Sequence, residues 1–137
     1  MLISQIMTPE VIVASPNDTL RSAARTMLEH DLGILPICEN DGLIGMLSDR
    51  DITIRAVARG LSLDDTRISQ LLGTEARYVF DDQTVQEAAH EMKQFQIRRL
   101  PVLDRENQLV GIISLADIVM TDETAATEAL AGISQPA

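Results

Sequence analysis

The tripeptide Ile3-Ser4-Gln5 occurs again as Ile68-Ser69-Gln70, and this repetition is the main evidence for the fold. At the same shift of 65 residues, residues 19–27 match residues 84–92 at their Thr, both Ala and Met positions. Beyond a polar turn that is one residue longer in the second copy, the match continues one residue out of step. Two copies are too few for a stacked solenoid, which needs about three repeats. We therefore expect one domain in which the copies pack about a pseudo-two-fold axis.

Each copy has the pattern strand, helix, strand, strand, helix, which predicts an α/β (α+β) fold of two β-α-β-β-α repeats. The first helix of each copy carries apolar residues at i, i+3, i+4 and i+7. Two short apolar runs, separated by polar turn residues, then predict a hairpin. We divide the chain into repeat 1 (residues 1–60), a linker (61–67), repeat 2 (68–120) and a tail (121–137). The tail is predicted to hold a short helix, from about residue 122 to 131, and then a frayed end.

Composition and charge exclude several classes of protein. The formal net charge of −10 argues against nucleic-acid binding, which needs clustered Lys and Arg to neutralise phosphates. No apolar run approaches the roughly 20 residues that span a membrane. The first residues lack the basic flank and apolar core of a secretory signal, and Cys38 has no second cysteine to pair with. We expect a cytoplasmic protein that binds neither nucleic acid nor membrane.

The candidate chemistry lies in Gly45-Met46-Leu47-Ser48-Asp49-Arg50-Asp51 and in its counterpart Gly111-Ile112-Ile113-Ser114-Leu115-Ala116-Asp117. In each segment a strand runs through Ser into a helix, with Asp three residues later. One interpretation is helix initiation, because Ser is a favoured N-cap and an acidic residue in the first turn complements the helix dipole. The other is nucleotide binding, in which the helix start and the Ser hydroxyl meet a phosphate and the carboxylate accepts ribose hydroxyls. The spacing leaves both interpretations open.

The complete pattern resembles the tandem cystathionine-β-synthase (CBS) domain family. The resemblance rests on Ile6-Met7-Thr8-Pro9, on Leu35-Pro36-Ile37 and on the Gly-x-x-Ser-x-x-Asp segments, and it covers about residues 1 to 120. Within the family, the chain is similar to small stand-alone bacterial CBS-pair proteins. The resemblance implies two repeats that face each other through their sheets and leave two clefts for adenosine ligands such as AMP, ADP, ATP, NAD or S-adenosylmethionine. It also implies a homodimer.

The resemblance further implies a role for each Ser-x-x-Asp segment. Asp51 and Asp117 would hold the ribose hydroxyls of the ligand. Ser48 and Ser114 would contact its phosphate. Both repeats keep both residue types, so neither cleft is excluded as a ligand site.

Four dipeptides are also implied as ligand contacts. Gly33-Ile34 and Arg98-Arg99 would line the clefts, and Ile12-Val13 and Tyr78-Val79 would provide backbone and apolar contacts to the base. The copies differ here, because repeat 2 has two arginines where repeat 1 has Gly and Ile. Arginine makes bidentate, charge-assisted contacts with phosphate, so we expect the two clefts to bind ligands unequally.

The function expected from the sequence is a regulatory sensor of an adenine nucleotide that alters its association with a protein partner the sequence does not name. An alternative is a ligand-free structural protein that acts through dimerisation, in which the Ser-x-x-Asp segments only cap helices. A third is an enzyme of nucleotide chemistry. The sequence contains no P-loop, nucleophile elbow, H-E-x-x-H or C-x-x-C motif, and no His or Cys set at metal-ligand spacing, so we predict neither catalytic residues nor a metal site.

Overall fold

The computed structural model describes residues 1–73 and 76–134. Its chain forms two compact units, which we name after the repeat that supplies their hairpin. The repeat-1 unit is Ile12–Ala76, and the repeat-2 unit combines Met1–Val11 with Arg77–Ala137. The first eleven residues of repeat 1 thus belong to the repeat-2 unit, and residues 68–76, the first residues of repeat 2, belong to the repeat-1 unit. The frayed end predicted for the tail falls, from residue 135 onward, outside the described residues.

The described residues of the repeat-1 unit form two α-helices, a 3₁₀-helix at Ile68–Gln70 and one antiparallel hairpin. Its elements are α1 (Leu20–His30), β1 (Ile34–Glu39), β2 (Gly42–Ser48) and α2 (Asp49–Ile52), and α2 continues as a π-helical segment, Thr53–Val57. The first strand predicted for this repeat is reduced to one parallel bridge from Ala14 to Ile37. Two residues in left-handed backbone conformation, Asn40 and Asp41, make the turn between the strands.

The repeat-2 unit has the complete predicted order of elements. They are β3 (Val79–Phe80), α3 (Val85–Phe95), β4 (Arg99–Leu103), β5 (Leu109–Ser114), α4 (Leu115–Val119) and α5 (Glu123–Ile133). β3 pairs in parallel with β4, and β4 pairs antiparallel with β5. The mixed α+β class and the β-α-β-β-α order are therefore confirmed. No helix among residues 1–73 and 76–134 is long and apolar enough to cross a membrane.

Both long repeat helices begin where a threonine caps them. The Thr19 hydroxyl accepts the Ser22 N–H at 3.1 Å, and the Thr84 hydroxyl accepts the Glu87 N–H at the same distance. The Thr84 N–H in turn donates to the Glu87 carboxylate at 3.4 Å, which completes a capping box. Ser22 provides no such return, as its shorter side chain predicts.

Each unit has its own hydrophobic core under its hairpin. In the repeat-2 unit the stripe of α3 packs with the inward residues of β4 and β5 and with three alanines of α5. In the repeat-1 unit the stripe of α1 packs on β1 and β2. Ile3 and Ile68, the first residues of the two repeated tripeptides, are both fully buried, Ile3 in the repeat-2 core and Ile68 in the repeat-1 core. The repeated tripeptide is therefore a core element of each unit.

A glycine in the second hairpin strand lets a preceding segment approach closely. Thr8 pairs with Ile112 through two backbone hydrogen bonds of 2.8 and 2.9 Å, which brings the chain across Gly111. A Cβ on Gly111 would lie 2.6 Å from the Met7 Sδ and 2.9 Å from the Thr8 carbonyl oxygen. At the matching Gly45, a Cβ would lie 3.2 Å from a methyl group of Leu72, the far end of a flexible side chain. The constraint is therefore stronger at Gly111.

The two glycines provide a matched test of this packing. We expect Gly111→Ala to lower the free energy of unfolding by about 1–3 kcal/mol, because the added methyl group meets backbone that is fixed by two hydrogen bonds. Gly45→Ala should cost less, below about 1 kcal/mol, because Leu72 can change its rotamer. Urea unfolding of both variants measures the difference, and equal losses would contradict the assignment of the constraint to Thr8.

Candidate functional site

The turn from β2 into α2 is held by a reciprocal pair of hydrogen bonds. The Ser48 hydroxyl accepts the Asp51 N–H at 3.0 Å, and Asp51 Oδ2 accepts the Ser48 N–H at 2.9 Å. The turn from β5 into α4 has the same bonds between Ser114 and Asp117, at 3.2 and 2.8 Å. All four residues are half-buried. The helix-initiation interpretation of both segments is therefore realised in the geometry.

The capping bonds leave part of each side chain uncommitted. The Ser hydroxyls act as acceptors in the box, so their protons remain available to donate. Each Asp uses Oδ2 in the box, and among the described residues no hydrogen bond involves Oδ1 of Asp51 or Asp117. A half-buried, fixed carboxylate oxygen is a suitable acceptor for a hydroxyl group of a ligand. Capping and ligand binding are consequently compatible in the same residues.

In each unit, one backbone hydrogen bond links the start of the hairpin to the start of the helix that follows the hairpin. It involves the dipeptide that was predicted to contact the ligand. The Asp49 N–H donates to the Gly33 carbonyl at 2.9 Å, and the Leu115 N–H donates to the Arg98 carbonyl at 2.8 Å. Ile34 pairs with Ser48, and Arg99 pairs with Ser114. The structure therefore brings Gly33-Ile34 beside Ser48, and Arg98-Arg99 beside Ser114.

In the repeat-2 unit these residues border a cavity of about 330 Å³. Its lining consists of Arg98, Arg99, Ser114, Leu115, Ala116 and Val119. The first three were predicted from the sequence. The three residues of α4 were missed, although their i, i+1, i+4 spacing at the start of a helix places them on neighbouring faces. The cavity thus combines two cations, one hydroxyl and an apolar wall.

The other predicted residues of repeat 2 lie elsewhere. Three residues that were predicted as ligand contacts do not line the cavity: Asp117, Tyr78 and Val79. Asp117 is attached to it through the capping bonds with Ser114. Val79 is 1% exposed and packs in the core, where its backbone pairs with Val102 of β4. Tyr78 is 41% exposed and stands edge-on to Phe80, with ring centroids 5.5 Å apart.

The predicted base contacts of repeat 1 differ in burial. Ile12 is half-buried against the repeat-1 core, whereas Val13 is 44% exposed. Ala14, the next residue, bridges β1 through hydrogen bonds to Pro36 and Cys38. These bonds keep the backbone of Ile12-Val13 at the edge of the hairpin that carries Ile34.

Arg98 and Arg99 carry guanidinium groups that no carboxylate of the described residues neutralises. Both are exposed, and within the described part of the chain neither has a carboxylate within 4 Å. Arg105 by contrast holds Asp82 with two bonds of 2.8 Å, and the pairing lowers the pKa of the Asp82 carboxyl group. Two free guanidinium groups at a cavity are suited to an anionic ligand.

Potential metal-ligand side chains are dispersed in the described part of the chain. Residues 1–73 and 76–134 contain no group of three or more His, Cys, Asp or Glu side chains placed to hold an ion. Burial, with a smaller contribution from Asp41, raises the pKa of the Cys38 thiol above its ordinary value.

Comparison with known proteins gives the family. The CBS domain family matches residues 3–57 and again residues 68–122. The CBS domain-containing protein YhcV of Bacillus subtilis is 39% identical over 135 residues, which cover 96% of this chain and 94% of that protein. Hypoxic response protein 1 of Mycobacterium tuberculosis is 42% identical over 114 residues, covering 82% of this chain and 79% of that protein.

Solved structures agree with the sequence relatives. The crystal structure of Hypoxic Response Protein I, described with two coordinated zinc ions, matches with a TM-score of 0.81 and 38% identity, over 88% of this chain and 98% of that one. The CBS domain pair of MJ0100, in complex with 5′-methylthioadenosine and S-adenosylmethionine, matches with a TM-score of 0.76 and 26% identity, over 88% and 98%. Both halves of the chain and its fold thus match, and the chain belongs to the CBS domain family as a protein with a pair of CBS domains.

Proposed function

We propose that the protein is a regulatory module that binds an adenosine ligand, with an adenine nucleotide such as AMP, ADP or ATP at the repeat-2 site. NAD and S-adenosylmethionine are further candidates. The observation that carries the proposal is the cavity where the unpaired Arg98 and Arg99 meet Ser114. The module is regulatory and not catalytic, and its output is a changed association with a protein partner in the cytoplasm.

The chemistry of the site supports a phosphorylated ligand. The two guanidinium groups offer planar donors that match phosphate oxygens, and the Ser114 hydroxyl adds a third donor. Leu115, Ala116 and Val119 give the cavity an apolar wall. Asp117 is hydrogen-bonded to Ser114 of the cavity lining through Oδ2, and its Oδ1 is available to accept a ribose hydroxyl. Ser48 and Asp51 present the same hydroxyl and carboxylate in the repeat-1 unit.

The relatives support the ligand class. The CBS pair of MJ0100 is described in complex with 5′-methylthioadenosine and S-adenosylmethionine, both of which contain adenosine. A ligand that binds one conformation of the protein more tightly shifts the population toward that conformation. Such a shift is a sufficient mechanism for regulating a partner without catalysis.

The capping geometry supports a second candidate. Because Ser48, Asp51, Ser114 and Asp117 all take part in helix caps, they have a structural role even without a ligand. In this alternative the protein acts through dimerisation alone. The two candidates differ in whether substitution of the Asp residues affects binding or stability alone.

Substitution of Arg98 and Arg99 distinguishes recognition of the phosphate from recognition of the adenosine part of the ligand. We expect Arg98→Ala with Arg99→Ala to weaken AMP binding at the repeat-2 site at least tenfold while changing adenosine binding less than threefold, since a charge-assisted bond contributes about 1.5–3 kcal/mol. Isothermal titration calorimetry, in a background with Asp51→Ala to weaken the repeat-1 site, measures both affinities. Arg25→Ala, an exposed arginine of α1, is the matched control. Equal losses for AMP and adenosine would reject the phosphate contact.

The carboxylates separate the two candidate functions. Asp117→Asn keeps an oxygen that can accept the Ser114 N–H, so we expect the free energy of unfolding to change by less than about 1 kcal/mol. The double variant Asp51→Asn with Asp117→Asn should no longer be stabilised by adenosine. The Asn amide has neither the negative charge nor the second acceptor oxygen with which the Asp carboxylate would hold the ribose hydroxyls. At 100-fold excess over its Kd, a ligand adds about 2.7 kcal/mol to the wild type. Thermal unfolding with and without adenosine measures this, and no rise for the wild type with any adenosine ligand favours the structural candidate.

We also propose that the protein is a homodimer. Each unit exposes a pair of apolar residues at the end of its second helix: Ile54 and Val57 are 51% and 54% exposed, and Val119 and Met120 are 50% and 83% exposed. Exposed apolar side chains in clusters are typical of interaction surfaces.

Light scattering coupled to gel filtration tests the dimer. We expect the wild type to elute with twice the mass of the chain, and Val119→Ser with Met120→Ser to shift it to the monomer. Leu28→Ser, at an 81% exposed position of α1, is the control that should leave the mass unchanged. A monomeric wild type at micromolar concentration would reject the proposal.

A further inference from the structure

The two units carry side chains of different charge at one pair of equivalent positions, the first residue of the second helix. In each unit the first residue of the second helix donates its N–H to the dipeptide before the hairpin, Asp49 to Gly33 and Leu115 to Arg98. The two hydrogen bonds, of 2.9 and 2.8 Å, place these pairs at the same location in their units. Repeat 1 therefore has a carboxylate where repeat 2 has an apolar side chain.

The Asp49 carboxylate is fixed beside Gly33. A Cβ on Gly33 would lie 3.5 Å from Asp49 Oδ2 and 3.8 Å from Oδ1, so the carboxylate lies in van der Waals contact with the position at which a side chain of residue 33 would begin. Oδ1 also accepts the Arg50 N–H at 2.8 Å, which restricts the rotation of the group. Any ligand group that approaches Gly33 consequently meets a negative charge.

The surrounding charges have opposite sums in the two units. Around Gly33 the repeat-1 unit has two acids, Asp49 and Asp51, and one base, Arg50. The corresponding segments of the repeat-2 unit have two bases, Arg98 and Arg99, and one acid, Asp117. Arg98 and Arg99 match the uncharged Gly33 and Ile34, whereas Asp49 and Arg50 match the uncharged Leu115 and Ala116. Arg50 is exposed and, among the described residues, forms no ion pair, so its charge is not held at Gly33 as that of Asp49 is.

We propose that Asp49 is a specificity-determining residue, by which the repeat-1 site rejects a 5′-phosphate and accepts adenosine with a neutral or cationic 5′ substituent. The proposal rests on the proposed function. The protein then sorts adenosine ligands by charge, with a phosphorylated one at the arginines of repeat 2 and an uncharged or positively charged one at repeat 1. A like charge opposes a phosphate, and an opposite charge attracts a sulfonium or ammonium group.

Three ligands with one adenosine scaffold and different charge test the proposal. Calorimetric titrations use AMP, 5′-methylthioadenosine and S-adenosylmethionine, whose 5′ substituents are anionic, neutral and cationic at the sulfur. The protein is the full chain with Arg98→Ala and Asp117→Ala, which leaves the repeat-1 site. Asp49→Asn is the test variant, since the amide can still accept the Arg50 N–H, and Glu29→Gln, which removes one exposed charge on α1, is its control.

We expect Asp49→Asn to tighten AMP binding about tenfold and to weaken S-adenosylmethionine binding about tenfold. A tenfold change corresponds to one partly screened charge interaction over a few ångströms. The affinity for 5′-methylthioadenosine should stay unchanged, because its 5′ substituent is neutral. Glu29→Gln should change none of the three. If 5′-methylthioadenosine binds and the other two ligands do not respond to Asp49→Asn, the proposal is wrong while the proposed function stands.

A further variant tests whether Arg50 has the dominant charge instead. If AMP binds the repeat-1 site tightly before substitution, and Arg50→Gln weakens it while Asp49→Asn does not, the proposal is overturned. If none of the three ligands binds either site, in the wild type or in the background variant, the proposed function and this inference are both rejected.

Discussion

The turn from the second hairpin strand into the following helix is the constraint on which both units depend. It is held at three points: the two bonds of the Ser-x-x-Asp box, and the bond from the first helical N–H to the dipeptide before the hairpin. These bonds fix the helix start against both strands of the hairpin. Every polar group proposed to meet the ligand's ribose or 5′ group is attached to this turn. A residue can therefore serve the fold and the site together, and the usual opposition between a capping role and a binding role does not apply to Ser48, Asp51, Ser114 or Asp117.

The repeat produces two similar backbones with different electrostatics. Backbone hydrogen bonds keep Gly33 equivalent to Arg98 and Asp49 equivalent to Leu115. Duplication supplies the shared geometry, and substitution at exposed positions of the turn changes the charge without disturbing the core. Charged side chains at such exposed positions have little effect on stability, so the two proposed sites can differ in charge at little cost to the fold. Arg98, Arg99 and Asp49 are positions at which they differ.

The units also show how a repeated sequence becomes two interdependent pieces of structure. Met1–Val11 belongs to the same compact unit as repeat 2, where Ile3 is fully buried and Thr8 pairs with Ile112. Ile68 is buried in the repeat-1 core in the corresponding way. Each hairpin and helix pair is therefore completed by the first segment of the other repeat. Removal of the first residues would damage the repeat-2 core before that of repeat 1.

The duplication, the helices and hairpins, the threonine and serine caps, and three of the six residues that line the repeat-2 cavity could be predicted from the amino-acid sequence. These features follow from local chemistry: periodicity, turn residues and hydrogen bonds that span three or four residues. Four other features became visible in the folded chain alone: Val79 is a core residue, α4 forms the cavity wall, Asp49 lies beside Gly33, and Met1–Val11 completes the repeat-2 unit. Each of these depends on contacts between residues distant in sequence, for which no spacing within a single segment gives a signal.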